Sequence, residues 1–370
     1  MGVTNSTDVF IIGGGPAGLV AAIAARKRGF HVVVADGAQL PFDKACGEGL
    51  MPAAVASLGR LGVVIPETDS MPFRGIRFIS NNAVIEAGFR GAAGIGVRRT
   101  TLHCILASHA ESVGVKVLYE TPVNQFTSST ATINGTTIHF RYLIGADGSA
   151  SIVGRRCGLN REEVSDRRFG FRQHFEIAPW TDRVEVYWAE GCQVYVTPVA
   201  SDKVGVAVLS HNSKSRLQQA LPLFPALEAR LQGAAAVTAE QGAVTVSRRL
   251  TRVTNGRIAL IGDASGSVDA ITGDGLSIAF LQAEALALAL HADDLSLYEK
   301  DHGRILFAPA MMSRLLLTMD RHEMVRRRVF SAFSSHPGLF TNVLAMHTGA
   351  ASPQMTALSV ASLGWGLLIG

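Results

Sequence analysis

The 370-residue chain has few cysteines, few charged residues and no low-complexity tract. Its four cysteines stand far apart, with no CxxC pair and no histidine cluster at metal-ligand spacing. This pattern argues against a structural metal or a disulfide framework and fits a reducing cytoplasm. Charged residues make up only 17% of the chain, and the basic ones occur as dispersed pairs without interleaved aromatic residues. We therefore expect no metal site and no nucleic-acid partner.

Charged residues are missing altogether after Arg328, where an apolar segment runs to Gly370. Pro353 and several glycines and serines interrupt this segment, which makes it a poor candidate for a membrane-spanning helix. Two interpretations stay open: a packed C-terminal helix, which we favour, and a surface that contacts a membrane or a lipid-like substrate. The sequence thus predicts a cytoplasmic protein, with peripheral membrane contact through the C-terminus as the alternative.

The start of the chain carries its clearest pattern. An apolar strand over residues 8–12 leads into a turn that contains Gly13, Gly15 and Gly18, and a second apolar run ends at Asp36. This is the βαβ dinucleotide fingerprint: the three glycines allow a tight turn, close approach of a pyrophosphate, and close packing of helix on strand. We expect the helix N-terminus to bind phosphate charge and the carboxylate of Asp36 to bind ribose hydroxyls.

The character of the sequence changes along the chain. Residues 169–209 read as an antiparallel block of strands, whereas residues 257–263 return to the parallel-strand pattern and lead into an Ala- and Leu-rich helix. We therefore predict an α/β fold with a Rossmann-like nucleotide-binding lobe, an inserted antiparallel β-sheet substrate lobe and a helical C-terminus. The predicted boundaries are 1–68, 97–160 and 250–300 for the nucleotide-binding lobe, 69–96 and 161–249 for the substrate lobe, and 301–370 for the helical C-terminal cap.

Two aspartate motifs follow the glycine turn in chain order. The first is Gly-Ala-Asp-Gly at residues 145–148, and the second is Gly-Asp-Ala at residues 262–264. Together with the opening turn, this ordered set resembles the FAD-dependent oxidoreductases of the para-hydroxybenzoate hydroxylase and geranylgeranyl reductase superfamily. The resemblance covers most of the chain, from about residue 8 to residue 290. It implies that the nucleotide-binding lobe binds FAD and that the flavin supplies the redox chemistry.

The resemblance also implies roles for individual residues. Asp263 would bind a ribityl or pyrophosphate-side hydroxyl, and the helix start at residues 273–275 would lie against the flavin ring. Arg99 matches an arginine that contacts FAD, and Asp147 an aspartate that serves both FAD and the reductant. The expected cofactor-binding residues are Gly13, Gly15, Pro16, Ala17, Gly18, Asp36, Gly37, Arg99, Asp147, Gly262, Asp263, Gly273, Asp274 and Gly275.

The sequence departs from the family at three of these motifs. Asp36 and Asp274 stand where the family usually has glutamate, and Gly154 stands in a slot that is usually arginine. The last difference leaves open how a nicotinamide cofactor is handled. Because the chain has only one dinucleotide fingerprint, we expect NADPH or NADH to act as a transient reductant on the FAD lobe.

Two residues are candidates for chemistry. Cys46, followed by Gly47, resembles a Cys-Gly motif of the geranylgeranyl reductase branch, in a loop near flavin and substrate; a buried free cysteine in a plain loop is the alternative. The strand at residues 193–198 resembles an aromatic-x-x-x-Pro strand of the reductases, which makes Tyr195 a candidate substrate contact. The aromatic residues Tyr187, Trp188 and Phe175 and the mid-strand His174 are better explained as core.

Taken together, these features predict an FAD-dependent oxidoreductase that acts on a hydrophobic small-molecule substrate. We favour an NAD(P)H-dependent monooxygenase of aromatic or polyketide-like molecules, because the chain is compact and lacks an obvious membrane anchor. Cys46 points instead to a geranylgeranyl-reductase-like enzyme that reduces prenyl or other C=C bonds. A flavin-free NAD-dependent dehydrogenase would leave the later aspartate motifs without a role. A non-catalytic flavin-binding module would be expected to lack Gly273 and Gly275.

Overall fold

The computed structural model describes residues 6–81, 83–160, 162–164 and 167–349. The described strands are, in chain order, β1 (Ser6–Ile12), β2 (Val32–Ala35), β3 (Gly49–Leu50), β4 (Met71–Phe73), β5 (Gly75–Ser80), β6 (Ala83–Gly88), β7 (Gly94–Gly96), β8 (Lys116–Leu118), β9 (Gln125–Phe126), β10 (Thr130–Ile133), β11 (Thr136–Gly145), β12 (Glu162–Val164), β13 (Arg168–Glu176), β14 (Val184–Ala189), β15 (Cys192–Ala200), β16 (Lys203–Ser210), β17 (Ala235–Ala236), β18 (Gln241–Thr245), β19 (Arg248–Leu250), β20 (Thr254–Asn255), β21 (Ile258–Leu260) and β22 (Gly266–Ser267).

The described α-helices are α1 (Pro16–Lys27), α2 (Pro52–Leu61), α3 (Arg99–Ser112), α4 (Ile152–Arg156), α5 (Leu217–Ala220), α6 (Pro225–Leu231), α7 (Gly275–His291), α8 (Leu295–Arg321), α9 (Glu323–Ser335) and α10 (Pro337–His347). Two short 3-10 turns, Gly262–Ser265 and Ala270–Thr272, lie between β21 and α7.

The first sheet forms the nucleotide-binding lobe. Its strand order is β20-β21-β11-β1-β2-β8, and β1 pairs in parallel with both β2 and β11. These strands are almost continuously apolar because helices cover them, as parallel sheets require. Helix α1 packs against α3 and α7, and the shared core includes Leu19, Leu106 and Phe280. The carboxyl ends of β1, β11 and β21 therefore meet at one edge of the sheet.

The second sheet forms the substrate lobe, with strand order β17-β13-β16-β15-β14-β5-β6. Strands β13 to β16 are joined by antiparallel pairings, as the alternating pattern predicted. The sheet is not antiparallel throughout, because β5 pairs with β14 in parallel. No hairpin joins these two strands, which lie far apart in the chain, so no local turn signal could have indicated their relative direction.

Helices α8, α9 and α10, here called the cap, close the described part of the chain. Helices α9 and α10 pack on β6 of the substrate sheet, and the three helices pack on each other, with Phe333 stacked on Phe340 at a ring-centroid distance of 4.8 Å. Within the described ranges, no helix combines the length and apolar character needed to cross a bilayer. The predicted C-terminal helix or lipid contact over residues 351–370 lies outside the described residues. The α/β class, the inserted sheet and the helical C-terminal region are confirmed, while the numerical domain boundaries stay predictions.

Candidate active site

A cavity of about 650 Å³ lies where the two sheets and the cap meet. One end is walled by the glycine turn after β1, by the loop before β3, and by the starts of α3 and α7. The other end is walled by β5 and β14 of the substrate sheet and by all three cap helices. The cavity therefore joins the dinucleotide fingerprint to the substrate lobe.

The glycine turn is tight towards the protein and open towards the cavity. A Cβ added at Gly13, which has a φ of +111°, would lie 2.3 Å from the carbonyl oxygen of Ala146. At Gly15, in contrast, an added Cβ would meet nothing within 4 Å. Helix α1 begins at Pro16 with no side-chain cap and no acidic residue in its first turn. Its first amides and the positive end of its dipole are thus available to an anionic group.

Asp36 is held in place beside this turn. Its carboxylate accepts hydrogen bonds from the backbone N–H groups of Gly14 (2.6 Å) and Ala38 (2.8 Å). These bonds fix the carboxylate at the carboxyl end of β2, where a carboxylate can bind ribose hydroxyls. Gly37 also lines the cavity.

A histidine that sequence reasoning missed supports the turn from α3. The Nδ1 atom of His103 accepts from the N–H of Phe42 at 3.3 Å, so Nε2 carries the proton and donates to the carbonyl oxygen of Gly14 at 2.8 Å. Burial lowers the pKa of His103, which favours this neutral form. The available signal was a polar residue on the apolar face of α3, in helical spacing with Leu106 and Ala110.

A second helix N-terminus opens on the same cavity. Helix α7 begins at Gly275 after Asp274, which makes no side-chain cap. Gly273 and Gly275 both line the cavity, and an added Cβ at either would meet nothing within 4 Å. Gly262 brings the late aspartate motif close to α1, since its added Cβ would lie 2.7 Å from the Cβ of Ala17. Two helix starts from distant parts of the chain thus face one space.

Charged side chains complete this end of the cavity. Arg99 opens α3, and its buried Nε has no hydrogen-bond partner among the described residues. The ammonium of Lys44 lies 3.7 Å from the carboxylate of Asp263. An unpaired guanidinium, two free helix starts and a fixed carboxylate form the donor and acceptor set that FAD requires, and the open glycines leave room for it.

Asp147 lines the cavity but is also used within the protein. Its carboxylate accepts from the hydroxyl of Ser151 at 2.6 Å and from the N–H groups of Ile152 and Val153, which caps α4. The structure therefore shows a capping role that the motif alone did not reveal. The expected contacts of Asp147 with FAD and reductant stay predictions.

The Cys46 loop lies over a buried polar network. Glu48, with a φ of +59°, accepts from the backbone N–H of Arg99 at 2.8 Å and binds the Nε2 of His174. His174 is fully buried and also binds Thr238, so it is a satisfied core histidine as expected. Cys46 lines the cavity, and burial raises the pKa of its thiol. Burial therefore favours the thiol of Cys46 over the thiolate, and its predicted role in chemistry stays a prediction.

Tyr195 lines the cavity from β15, and its hydroxyl donates to the carbonyl oxygen of Ile271 at 2.8 Å. Burial raises its pKa, so the phenol keeps its proton. Tyr195 thus holds the segment that precedes α7, while its predicted contact with substrate remains untested. Tyr187, Trp188 and Phe175 belong to the hydrophobic cores instead.

The far end of the cavity is apolar. Its wall includes aliphatic and aromatic side chains from both the substrate sheet and the cap: Ile76, Phe78, Val186, Leu316, Phe340 and Val343. Burial of apolar ligand surface here would be favourable by about 25 cal/mol per Å². This end is suited to a hydrophobic molecule rather than a charged one.

The glycine turn and the second helix start of the Rossmann-like lobe share one cavity with an apolar wall of the substrate lobe. This arrangement defines a dinucleotide-dependent oxidoreductase. Comparison with known proteins specifies the dinucleotide. The chain belongs to the FAD binding domain family, whose model matches residues 6–293. It is an FAD-dependent oxidoreductase, which leaves no place for the flavin-free dehydrogenase alternative.

Similar proteins cover most of the chain. A menaquinone reductase of Mycobacterium tuberculosis is 29% identical over 353 residues, covering 87% of this chain and 86% of the relative. The chloroplastic geranylgeranyl diphosphate reductase of Oryza sativa is 28% identical, covering 77% of this chain and 66% of the relative. The same fold occurs in a flavoprotein/dehydrogenase from Cytophaga hutchinsonii, with a TM-score of 0.83, 19% identity and coverage of 97% and 99%. It also occurs in pqsL, a probable FAD-dependent monooxygenase from Pseudomonas aeruginosa, with a TM-score of 0.74, 20% identity and coverage of 88% and 100%.

Proposed function

We propose that this enzyme reduces carbon–carbon double bonds in the isoprenoid chain of an apolar substrate, with NADPH or NADH as the transient reductant. The observation that carries the proposal is the apolar end of the cavity, which is continuous with the FAD-binding end. Two relatives support it, a menaquinone reductase and a geranylgeranyl diphosphate reductase, because menaquinone and geranylgeranyl diphosphate both carry isoprenoid chains. An isoprenoid chain matches the apolar wall in chemistry.

In this proposal each part of the cavity has a separate task. The start of α1 and Arg99 hold the anionic part of FAD, Asp36 binds its ribose, and the start of α7 receives its ring. When bound, FAD would supply two-electron chemistry, in which a hydride from the nicotinamide reaches the substrate by way of the flavin and a proton from solvent completes the reduction of the double bond. The apolar wall orients the isoprenoid chain and excludes water. Tyr195 keeps the segment before α7 in place through its bond to Ile271.

A hydroxylase is the second candidate. The aromatic rings of Phe78 and Phe340 in the wall would also suit a flat aromatic substrate, and the pqsL monooxygenase shares the fold. The two activities differ in their products. Reduction adds two hydrogens per double bond and needs no oxygen, whereas hydroxylation adds one oxygen atom and consumes O₂.

Product analysis tests the proposal directly. The FAD-loaded protein would be supplied with NADPH or NADH and with menaquinone or geranylgeranyl diphosphate, in matched anaerobic and aerobic samples, and the products weighed by mass spectrometry. We expect a gain of two hydrogens without oxygen that survives re-oxidation of the products in air, which returns any quinol formed from menaquinone to the quinone. A gain of one oxygen atom in the aerobic sample alone would favour the hydroxylase and overturn the reductase.

A pair of variants localises the substrate. Val343→Trp would fill part of the apolar end, whereas Met324→Trp adds the same ring at a side chain that is 74% exposed. We expect the first variant to raise the KM for the isoprenoid by tenfold or more, about 1.4 kcal/mol, and the second to leave it unchanged. Equal kinetics in both variants would exclude this end of the cavity as the substrate site.

A further inference from the structure

His347, at the end of α10, forms a buried ion pair with Asp274 at the start of α7. The Nε2 atom of the imidazole lies 2.9 Å from Oδ2 of the carboxylate, and the two side chains are only 4% and 5% exposed. The same Nε2 lies 3.3 Å from the carbonyl oxygen of Thr272. Because both neighbours are acceptors, Nε2 carries a proton.

The surroundings of His347 favour its charged form. Burial acts to lower the pKa of the imidazole, but the carboxylate of Asp274 and the carbonyl of Thr272 act in the opposite direction and outweigh it. The pKa of His347 is therefore raised above its ordinary value. The 2.9 Å contact and the raised pKa both favour an imidazolium whose charge offsets that of the carboxylate.

This pair stands at the end of the cavity that receives the cofactor. Gly273 and Gly275, on either side of Asp274, both line the cavity, and so does His347. An unpaired carboxylate at the start of α7 would offset the partial positive charge at that end of the helix, which would then attract an anionic ligand less strongly. Reduction of a flavin ring adds two electrons and one proton, which leaves one extra negative charge on the ring. The charge state of this pair therefore changes the stability of the reduced cofactor more than that of the oxidised cofactor.

We propose that His347 is a positioning residue that acts through Asp274: by neutralising this carboxylate, it lets the start of α7 favour the reduced, anionic flavin. The inference rests on FAD binding in the cavity but not on the identity of the substrate. It gives the cap a second role. Helix α10 lies beyond the residues that the family model matches, and yet it supplies a charge to the cofactor end of the cavity as well as part of the apolar wall.

The reduction potential of the bound FAD tests this inference without any substrate. It would be measured on the FAD-loaded protein by equilibration with a reference dye, for the wild type and for His347→Gln, Asp274→Asn and the double variant. Glutamine keeps a hydrogen-bond donor but has no charge. The matched control is His291→Gln, the same substitution at an exposed position at the far end of α7.

We expect His347→Gln to shift the equilibrium at least tenfold towards oxidised flavin, which corresponds to about 30 mV for a two-electron couple. The double variant, in which neither partner is charged, should return to within about threefold of the wild type. If the pair only joins α10 to α7, the result would be different. The reduction potential of the double variant would then differ from that of the wild type at least as much as the potential of His347→Gln does. An unchanged potential in His347→Gln, or a double variant as low as the single one, would overturn the inference.

Two outcomes keep the inference separate from the proposed function. If His347→Gln does not retain FAD, the reduction potential of FAD bound to Asp274→Asn tests the inference instead. Because this variant lacks the carboxylate, its potential should be equal to or higher than that of the wild type, and a lower potential refutes the proposal. If the wild type binds FAD and every variant has the same reduction potential as the wild type, only the role of His347 is refuted. A protein that binds FAD but does not reduce an isoprenoid refutes only the substrate.

Discussion

Two glycines in the same turn should respond to the same substitution in different ways. Gly13 has a φ of +111°, and a Cβ there would lie 2.3 Å and 2.5 Å from the backbone oxygen and carbon of Ala146. Gly15 has an ordinary φ of −69° and free space around it. Gly13→Ala therefore combines a strained backbone with a clash against backbone that cannot move aside, whereas Gly15→Ala strains nothing until the cofactor is present.

The magnitudes follow from these geometries. Gly13→Ala should lower the free energy of unfolding by about 3 kcal/mol or more, from about 1–3 kcal/mol of backbone strain and a similar overpacking cost. Gly15→Ala should leave the apoprotein within about 0.5 kcal/mol of the wild type. It should weaken FAD binding by about 1.5–3 kcal/mol, or roughly tenfold or more in Kd, because a methyl group keeps the pyrophosphate from the backbone amides.

Urea denaturation of the FAD-free proteins and titration with FAD, followed by flavin fluorescence, separate the two effects. The reasoning fails if Gly15→Ala destabilises the apoprotein as much as Gly13→Ala does. It also fails if Gly15→Ala binds FAD with wild-type affinity, because the open side of the turn would then not face the pyrophosphate.

Three further substitutions test other parts of the structure. Cys46→Ala should change turnover but not flavin content, with the exposed Cys104→Ala as control; unchanged kinetics would make Cys46 structural. Asp269→Asn weakens the buried 2.8 Å pair with Arg168 and should cost about 3 kcal/mol in urea denaturation, while a loss below about 1 kcal/mol would contradict that reading. Burial lowers the pKa of His302 from 6.5 to about 4, so between these values the unfolded chain binds a proton that the folded chain does not. Stability is therefore lost as the pH falls below 6.5, by about 2 kcal/mol near pH 5, and His302→Gln should lose correspondingly less between about pH 7 and pH 5. An equal loss in both proteins would assign the pH dependence to other groups.

The parts of the site that sequence reasoning found are local in the chain. The strand, the glycine turn, the helix and Asp36 follow one another within one βαβ unit, so their spacing alone indicates how they meet. The same holds for Gly273 and Gly275 at the start of α7. Identification of FAD rested on the order of three such local motifs, and the family match confirms it.

The parts that sequence reasoning missed depend on pairs of residues far apart in the chain. Glu48 meets Arg99 and His174, and His347 meets Asp274, across separate elements. No periodicity or spacing rule connects such partners, because the packing of the two lobes and the cap brings them together. Asp147 is a different case, because its capping partners Ser151, Ile152 and Val153 lie within six residues of it, yet the motif alone does not distinguish a helix cap from a cofactor contact.

The cavity takes its walls from residues as early as Ile12 and as late as His347. During synthesis the first βαβ unit emerges long before α7 and α10, so a nascent chain displays the pyrophosphate turn while the opposite walls do not yet exist. We expect such a chain to hold FAD weakly and to capture it firmly only when the cap docks. Cofactor loading should then follow translation of α10, and the supply of free FAD at that moment would govern how much newly made protein becomes active.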